Sequence, residues 1–186
     1  MFQHDWTTYQ EGCELVKKNG GIRLDIGCGE NKQENFIGLD KRKLEGVDIV
    51  WDLEKFPYPL PDDCCMAIIG SHIIEHIKPW LTIDFINELW RIMKPGGQLA
   101  LVYPYPGSTG FWQDPTHCNG LNEATWQYFD PRYPLFEIYR PKPWLNEKGF
   151  PTWKLTTVVE VFMNKITEEE GNGYYKKMKE KFFPNG

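Results

Sequence analysis

The chain has 186 residues, of which 41% are hydrophobic and 25% charged, and its formal net charge is −5 at pH 7. This length and composition predict one globular domain with a sizeable core and exclude a disordered chain. The acidic balance excludes a global basic field for binding nucleic acid, and no apolar run is long enough to span a bilayer.

The cysteines and the first residues indicate a compartment. The 5 cysteines have no CxxC spacing, and their odd number argues against a disulfide framework. Residues 1–12 have neither a basic start nor an apolar core, so we do not expect a signal peptide. The sequence therefore predicts a cytoplasmic protein with reduced thiols.

The first predicted elements are a helix and a strand. Residues 5–18 have helical character, and the Asn-Gly-Gly run at 19–21 would end the helix. Residues 22–29, IRLDIGCG, predict a short buried strand that leads into a Gly-Cys-Gly turn. Gly27 and Gly29 lie where the chain turns sharply and where backbone can approach a ligand closely. Such a turn predicts a nucleotide-type site at the carboxyl end of a parallel sheet.

The charges around this turn indicate which nucleotide would bind. A dinucleotide fingerprint needs a third glycine three residues after the second, and none follows Gly29 at that spacing. Asp25 in the strand and Glu30 on the turn would repel a pyrophosphate but attract an ammonium or a sulfonium. S-adenosylmethionine has such a cationic end together with a ribose and a base. The alternative is a buried strand and turn only, in which Cys28 is a small packed residue rather than a nucleophile.

Two further short strands are predicted to lead into carboxylates. Residues 36–40, FIGLD, end in Asp40, which is placed to accept hydrogen bonds from a ribose diol. The alternative is an ordinary strand-ending aspartate, which turns favour. Residues 47–50 predict the third strand, after which Asp52 could accept from an adenine amino group while the backbone of Leu53 meets the ring.

The next stretch predicts a central strand, a long helix and another strand. Residues 65–70 form a continuous apolar run, as a parallel strand buried on both faces should. Residues 80–93 carry apolar side chains at helical spacing. The KPGG turn at 94–97 would end that helix, and residues 98–103 predict the fifth strand.

In order and spacing these stretches resemble the class I S-adenosylmethionine-dependent methyltransferases. The stretches are LDIGCG, FIGLD, WDL, IIGSHIIEHI and RIMKPGGQLALVYP, between about residues 20 and 105. They are most similar to the small type 11-like group, in which strand four runs into a Glu-His helix start and strand five follows a KPGG turn. The resemblance implies a single-domain α/β fold, Rossmann-like and doubly wound. Its sheet would have seven strands, mostly parallel, with an antiparallel last strand.

The resemblance also implies S-adenosylmethionine as the cofactor and assigns residues to it. Asp25, Gly27 and Gly29 would hold its methionine end, and Ser71 and His72 would lie beside the sulfonium. The full set of implied contacts is Asp25, Gly27, Cys28, Gly29, Asp40, Asp52, Leu53, Ser71, His72 and His76.

The resemblance is less specific about His76 and about the link between the first two strands. His76 belongs to the Glu-His pair and would cap or line the pocket. The chain departs from the family pattern between its first two strands, since residues 30–36 are too few for a full crossover helix. This leaves open what the first helix of the family contributes to the pocket.

A segment rich in proline, glycine and aromatic residues, residues 104–135, follows strand five. A long segment without periodicity is typical of a lid or a binding loop, and in the family such insertions shape the acceptor pocket. Its Asp-Pro-Thr-His turn would bring a carboxylate and an imidazole close together. We expect His117 to act as a general base or to orient the acceptor, with Asp114 holding its tautomer. The alternative is that His117 pins the loop by hydrogen bonding to backbone.

No metal site is predicted. His72 and His76 have helical i, i+4 spacing and His117 precedes Cys118, but neither pair has an apparent third ligand. Aromatic residues of the insertion could stack on a flat or sugar-like acceptor or could belong to the core, and they are Trp112, Trp126, Tyr128, Phe129 and Tyr133.

The last part of the chain predicts two strands and a helix. Residues 136–140 are the presumed sixth strand, which would pair with a β-branched final strand at 154–166. Residues 167–186 predict a solvated terminal helix, whose lysines could alternatively touch a phosphate-bearing partner. The expected parts of the domain are an N-terminal helix (1–21), a cofactor-binding half (22–103), an acceptor-site insertion or lid (104–135) and C-terminal strands with the tail (136–186).

These patterns together predict a methyltransferase that moves a methyl group from S-adenosylmethionine to an O or N atom of a small-molecule acceptor. No membrane partner is expected. Nucleic acid is disfavoured by the charge and by the lack of an Asn-Pro-Pro-Tyr type sequence after strand four. The alternatives are a cofactor-binding module without turnover and another transferase on the same fold. An aminopropyl transferase would need further acidic groups near strand four. The sequence does not indicate the acceptor or the oligomeric state.

Overall fold

The computed structural model describes residues 6–147 and 158–184, together with the backbone of residues 152–154. The longer helices and the strands are α1 (Tyr9–Asn19), β1 (Ile22–Ile26), β2 (Ile37–Asp40), β3 (Ile49–Val50), β4 (Cys65–Ser71), α2 (Thr82–Ile92), β5 (Met93–Pro104), β6 (Trp144–Asn146), β7 (Thr152–Lys154), β8 (Val158–Lys165) and α5 (Glu168–Phe182). Short helical turns are Ile74–His76, Pro79–Leu81, α3 (Thr109–Trp112), Glu123–Tyr128 and α4 (Phe136–Tyr139).

A single mixed sheet organises the described residues. Its strands follow the order β3-β2-β1-β4-β5-β8-β6, and β7 also pairs with β8. The pairs from β3 to β5 are parallel, whereas β8 runs antiparallel to β5 and β6. The structure confirms the expected Rossmann-like, mostly parallel sheet with an antiparallel last strand, and it adds the short β7 to the expected seven strands.

The connections between β1 and β4 contain no α-helix. Between β1 and β2 the chain is held by hydrogen bonds, since the backbone N–H of Gln33 donates to the Asp25 carboxylate at 2.8 Å. Lys32 also pairs with Asp48 at 2.8 Å. The expectation that this link is too short for a crossover helix is confirmed. Turns therefore border the carboxyl ends of β1 and β2, where a helix N-terminus would otherwise lie.

The helix α1 has well-defined ends. A capping box joins Thr8 and Glu11 at its start, and Gly20 with a φ of 65° closes its end. The helix covers most of the predicted range of 5–18, although residue 5 lies outside the described residues. Gly12 packs directly against the backbone of Pro59, which holds α1 against the chain that precedes β4.

The helix α2 buries the apolar side that its spacing predicts, with Phe85, Ile86 and Leu89 fully buried. It ends at Ile92, and β5 begins at the next residue. Residues 94–97 form a bulge within β5, opposite a single residue of β4. The predicted KPGG turn therefore lies inside the strand, not before it.

The predicted sixth strand at residues 136–140 is wrong. These residues form the one-turn helix α4, and Arg140 after it takes a left-handed φ of 45°. Pro141 follows and cannot donate to a strand ladder. The sixth strand is β6, in which the fully buried Trp144 pairs with Lys165 of β8.

The C-terminal elements otherwise agree with the pattern. β8 covers most of the predicted strand at 154–166, while residues 155–157 lie outside the described residues. α5 begins at a capping box between Thr167 and Glu170 and is largely exposed, as expected for a terminal helix. None of the described helices combines the length and the apolar character needed to cross a membrane.

Adding a methyl group should have opposite effects on stability at two helical glycines, Gly12 in α1 and Gly173 in α5. In Gly12→Ala the new Cβ would lie 1.6 Å from the Pro59 carbonyl oxygen, so we expect a loss of about 1–3 kcal/mol of unfolding free energy. In Gly173→Ala, within α5, the new Cβ would have no described atom within 4 Å apart from the nearby backbone of its own helix, and we expect a gain of about 0.4–1 kcal/mol. Urea denaturation measures both, and equal stability of the two variants would contradict the described packing of α1.

Candidate active site

Gly27 marks the point where β1 leaves the sheet. Its φ is 66°, a left-handed conformation that favours glycine. A Cβ at this position would lie 2.6 Å from the Cδ1 atom of Ile73. Its N–H donates to the Leu39 carbonyl oxygen at 2.7 Å, which ties the turn to β2. Both the turn and the approach of Ile73 therefore require a residue without a side chain.

Two clefts adjoin at this turn, and Gly27 lines both of them. The first has a volume of about 500 Å³ and contains Asp40, so we call it the Asp40 cleft. Residues of the predicted cofactor set that line it are Gly27, Asp40, Asp52, Leu53, His72 and His76. Both its size and its position at the carboxyl ends of parallel strands are typical of a ligand site.

The second cleft, the Asp25 cleft, has a volume of about 440 Å³. Residues of the predicted set that line it are Asp25, Gly27, Cys28 and Ser71. Phe162 of β8 also contributes to its wall. Nine of the ten predicted cofactor residues thus lie at one edge of the sheet but divide between two adjoining clefts. Gly29 lines neither cleft and contacts the site through the bond from its backbone N–H to Asp40.

Among the carboxylates of the site, Asp40 accepts the most hydrogen bonds. It accepts hydrogen bonds from the backbone N–H of Gly29 at 2.9 Å and from that of Arg42 at 2.8 Å. The Arg42 guanidinium also donates to it, with Nε at 3.2 Å. Burial by itself would raise the pKa of Asp40, but these hydrogen bonds outweigh burial and lower its pKa. Asp40 is therefore ionised at neutral pH. The Arg42 side chain, which is 60% exposed, covers it.

Asp25 is shifted in the opposite direction. Its burial raises the pKa of the carboxyl group, and the hydrogen bond from Gln33 with the charge of Lys32 offsets only part of that effect. The two aspartates at the ends of β1 and β2 therefore have different electrostatic surroundings, although both lie beside Gly27.

Asp52 and Leu53 lie in a turn after β3. The Asp52 Oδ1 atom accepts from the backbone N–H of Glu54 at 3.0 Å. The Leu53 carbonyl oxygen accepts from the buried Tyr58 hydroxyl at 2.9 Å. Asp52 and Leu53 both line the Asp40 cleft.

His72 and Glu75 form a pair directly after β4. His72 has a φ of 54°, which is uncommon outside glycine and marks a constrained position. Its Nδ1 atom lies 3.2 Å from Oε1 of Glu75, and this hydrogen bond raises the pKa of His72. Glu75 is fully buried. The sequence pattern does not include Glu75 in the predicted site, although it stands in the Glu-His pair and is the one acidic group near strand four that the aminopropyl transferase alternative could use.

The His117 side chain lies beside this pair, with its Nε2 atom 4.0 Å from Oε1 of Glu75. Its Nδ1 atom is 2.7 Å from the Phe111 carbonyl oxygen, so this nitrogen carries the hydrogen and donates it. Asp114 lies 3.8 Å from Nε2 instead and bonds to the backbone and hydroxyl of Thr116. The expected role of Asp114 in holding the tautomer is thus taken by a backbone carbonyl, which is the geometry that the loop-pinning alternative describes.

Beside His117 the insertion is anchored to the helical turn and the helix that follow β4. The backbone N–H groups of Cys118 and Asn119 donate to the Glu75 carbonyl oxygen at 2.9 and 3.0 Å. The Asn119 side chain donates to the hydroxyl of Thr82 at 2.8 Å. These bonds fix the backbone position of His117, whose side chain is only 8% exposed.

The aromatic residues of the insertion do not form one acceptor wall. Trp126 and Phe129 belong to the core, and the Trp126 indole N–H donates to the Tyr103 hydroxyl at 2.6 Å. Trp112 is 74% exposed, and Tyr128 packs against Tyr139. The core interpretation is confirmed for Trp126 and Phe129.

Comparison with known proteins supports the same fold. No protein-family model matches the chain. A probable S-adenosylmethionine-dependent methyltransferase of Mycolicibacterium smegmatis is 26% identical over 121 residues, which are 54% of this chain and 46% of that protein. The chain therefore spans about half the length of this curated relative.

Solved structures extend the similarity over most of the chain. A SAM-dependent methyltransferase from Archaeoglobus fulgidus has a TM-score of 0.58 at 20% identity, covering 82% of this chain and 94% of that one. A 16S rRNA (adenine(1408)-N(1))-methyltransferase with cosubstrate SAM from Catenulisporales acidiphilia has a TM-score of 0.53 at 13% identity, covering 86% and 92%. At these identities the likeness concerns the fold.

The surroundings of Cys28 predict slow chemical modification. Burial, together with the charges of Asp25 and Asp40, raises the pKa of its thiol to about 11. At pH 8 only about one molecule in a thousand would hold the thiolate, and that fraction rises about tenfold for each pH unit up to the pKa. Alkylation with iodoacetamide, followed by peptide mass spectrometry, should label the exposed Cys118 first and Cys28 only as the pH rises. Rapid labelling of Cys28 at pH 8 would contradict the described turn.

Proposed function

We propose that this chain, which has the fold of the class I S-adenosylmethionine-dependent methyltransferases, binds S-adenosylmethionine and transfers its methyl group to an acceptor. The observation that carries the proposal is the meeting of two clefts at Gly27, with Asp25 in one and Asp40 in the other. A ligand that crosses the glycine turn would contact both carboxylates.

The charges favour a cationic ligand with a diol over a diphosphate. Asp40 is ionised at neutral pH, and Asp25 lies nearby across the turn. Carboxylates on both sides of Gly27 would repel a pyrophosphate but attract the ammonium and sulfonium groups of S-adenosylmethionine. The first crossover also provides no helix N-terminus, which is the usual site for a pyrophosphate.

We infer the following orientation for the cofactor. Its methionine end would lie in the Asp25 cleft, near Ser71. Its ribose hydroxyls would donate to Asp40, and its adenine would lie near Asp52 and Leu53. Because the Arg42 guanidinium already bonds to Asp40, ribose binding would displace this exposed side chain, while the backbone N–H of Gly29 could keep its bond to Asp40.

The acceptor would approach from the side of His76 and Thr116, which line the Asp40 cleft. When bound, S-adenosylmethionine supplies a methyl group on a positively charged sulfur. We propose that His117 acts on the acceptor, either by taking its proton at Nε2 or by orienting it. Nε2 is the nitrogen with a free lone pair, because Nδ1 carries the hydrogen that bonds to Phe111.

We propose a small molecule with a reactive O or N atom as the acceptor. The net charge of −5 supports this choice over a nucleic acid. One structure with a similar fold is an rRNA methyltransferase by name, so a screen for acceptors should include RNA. A tritiated-methyl transfer screen across metabolite, sugar, peptide and RNA pools would identify the class.

Calorimetry with S-adenosylmethionine and with NAD tests the cofactor. We expect the chain to bind S-adenosylmethionine and not NAD, and we expect Asp40→Asn to weaken binding about 10- to 100-fold, since hydrogen bonds to a charged group contribute about 1.5–3 kcal/mol. Asp84→Asn, an exposed change of the same charge within α2, should leave the affinity unchanged.

Thermal melting of each variant separates lost binding from lost folding. If Asp40→Asn does not fold, Asp52→Asn provides the second test, with a smaller loss because the adenine contact is less charged. Unchanged affinity in a folded Asp40→Asn protein, or tighter binding of NAD, would contradict the proposal.

The role of His117 is tested once an acceptor is found in the methyl-transfer screen. His117→Ala should retain folding and cofactor binding but lose about 10²- to 10⁴-fold in turnover, the usual range for a positioned base. Unchanged turnover would remove His117 from the chemistry and leave it as a residue that pins the loop.

A further inference from the structure

We propose that Glu75, His76 and His117 bind one divalent transition-metal ion, of which Zn²⁺ is the best match. Within the described part of the chain, the potential ligand atoms of these residues all lie within 4.8 Å of one another. The sequence suggested no such site because the third ligand comes from the insertion, far from the Glu-His pair in the chain.

The fold holds the three residues in place from both sides. Glu75 and His76 belong to the helical turn Ile74–His76 directly after β4. The backbone N–H groups of the two residues after His117 donate to the Glu75 carbonyl oxygen. The His76 and His117 rings meet edge to face, with centroids 4.7 Å apart. The cluster is therefore a consequence of how the insertion is anchored, not of flexible surface side chains.

Among the described residues, both histidines form their hydrogen bonds through Nδ1, which leaves Nε2 as the ring nitrogen that would bind a metal. The Thr116 hydroxyl donates its only hydrogen to Asp114 at 2.7 Å, so it accepts from Nδ1 of His76, which is 3.0 Å away. Nδ1 of His117 donates to the Phe111 carbonyl oxygen. Metal-binding histidines usually donate their second N–H to a carbonyl or another polar group in this way, which fixes the tautomer and the ring orientation.

Glu75 provides a second, independent observation. Its side chain is fully buried, and its Oε2 atom has no hydrogen-bond partner among the described residues. Oε1 is held by His72 and lies 4.0 Å from Nε2 of His117. A buried carboxylate oxygen without a partner is costly, and a cation bound by Glu75 and the two imidazoles would supply the partner.

The donor set indicates the kind of metal. Two imidazoles and a carboxylate suit Zn²⁺ and similar divalent ions, whereas Mg²⁺ and Ca²⁺ prefer oxygen ligands. Ligand atoms about 2.0–2.2 Å from Zn²⁺ would be about 3.3–3.6 Å apart, so the side chains would move together by about 1 Å. Three protein ligands leave at least one coordination position for water or another oxygen.

The position of the site has a consequence for the acceptor, and this consequence alone rests on the proposed function. His76 and Thr116 also line the Asp40 cleft. A metal ion at this site would bind an acceptor through an oxygen atom. His117 would then be a metal ligand that helps to orient the acceptor, and it would not act as a free base. The metal site itself does not depend on methyl transfer.

The experiment measures metal binding directly on the full chain. The protein is stripped with EDTA and titrated with Zn²⁺ against a chromophoric chelator, and its bound zinc is counted by mass spectrometry. We expect about one tightly bound Zn²⁺ per chain. Co²⁺ in the same site should give the strong visible absorption of a four- or five-coordinate ion. Loss of a group that only hydrogen-bonds to a metal ligand costs about 10- to 100-fold in metal affinity. Loss of a ligand itself, in His76→Gln or His117→Gln, should therefore weaken zinc binding at least that much.

Matched variants keep the test decisive. Asp84→Asn should bind like the unaltered chain, since Asp84 is exposed and outside the cluster. Because Glu75 is fully buried, Glu75→Gln tests the site only if cooperative melting shows that this variant folds. If it does not fold, His76→Gln provides the test, since His76 is only half-buried. No bound zinc, wild-type affinity in a folded His76→Gln protein, or a weak six-coordinate Co²⁺ spectrum would overturn the proposal.

The readouts of the two proposals are separate. Zinc binding without any affinity for S-adenosylmethionine would contradict the proposed function and support the metal site. Calorimetric binding of S-adenosylmethionine by a chain that takes up no zinc would do the reverse.

Discussion

The parallel pairing of β1 with β2 on one side and β4 on the other is the constraint on which the candidate site depends. Parallel strands end at a common edge of the sheet, so Asp25, Asp40 and Ser71 meet there although they lie far apart in the chain. Gly27 makes this arrangement possible, because its left-handed turn frees the space that Ile73 enters. A side chain at Gly27 would strain the left-handed backbone there and would press against the side chain of Ile73.

The carboxylates at this edge differ in how completely they are paired, and the difference indicates what each can do. Asp40 is satisfied by backbone N–H groups and by an exposed arginine, so a ligand needs to displace only Arg42 to reach it. Glu75 is buried, with one oxygen held by His72 and the other without a hydrogen-bond partner in the described part of the chain. The first arrangement suits an exchangeable organic ligand, whereas the second suits a bound ion.

The insertion after β5 serves both packing and the site. Its Trp126 and Phe129 extend the core, while Asn119 ties it to the turn and helix that follow β4. As a result His117 faces the Glu-His pair from a fixed backbone. An apparently irregular segment rich in proline and aromatics thus has a part beside the site that hydrogen bonds hold in place.

The sequence by itself determined the parts of this protein that depend on local pattern. Alternating or continuous apolar runs located β1, β2, β4 and β5, and the glycine turn after β1 and the carboxylate at the end of β2 identified the binding edge. Only the tertiary structure decided the rest. Residues 136–140 have the composition of a strand but form a helical turn, because the proline after Arg140 and the pairing of β6 with β8 leave them no ladder. The contact of His117 with Glu75 and the division of the predicted residues between two clefts depend on how distant segments pack, and local preference carries no information about such contacts.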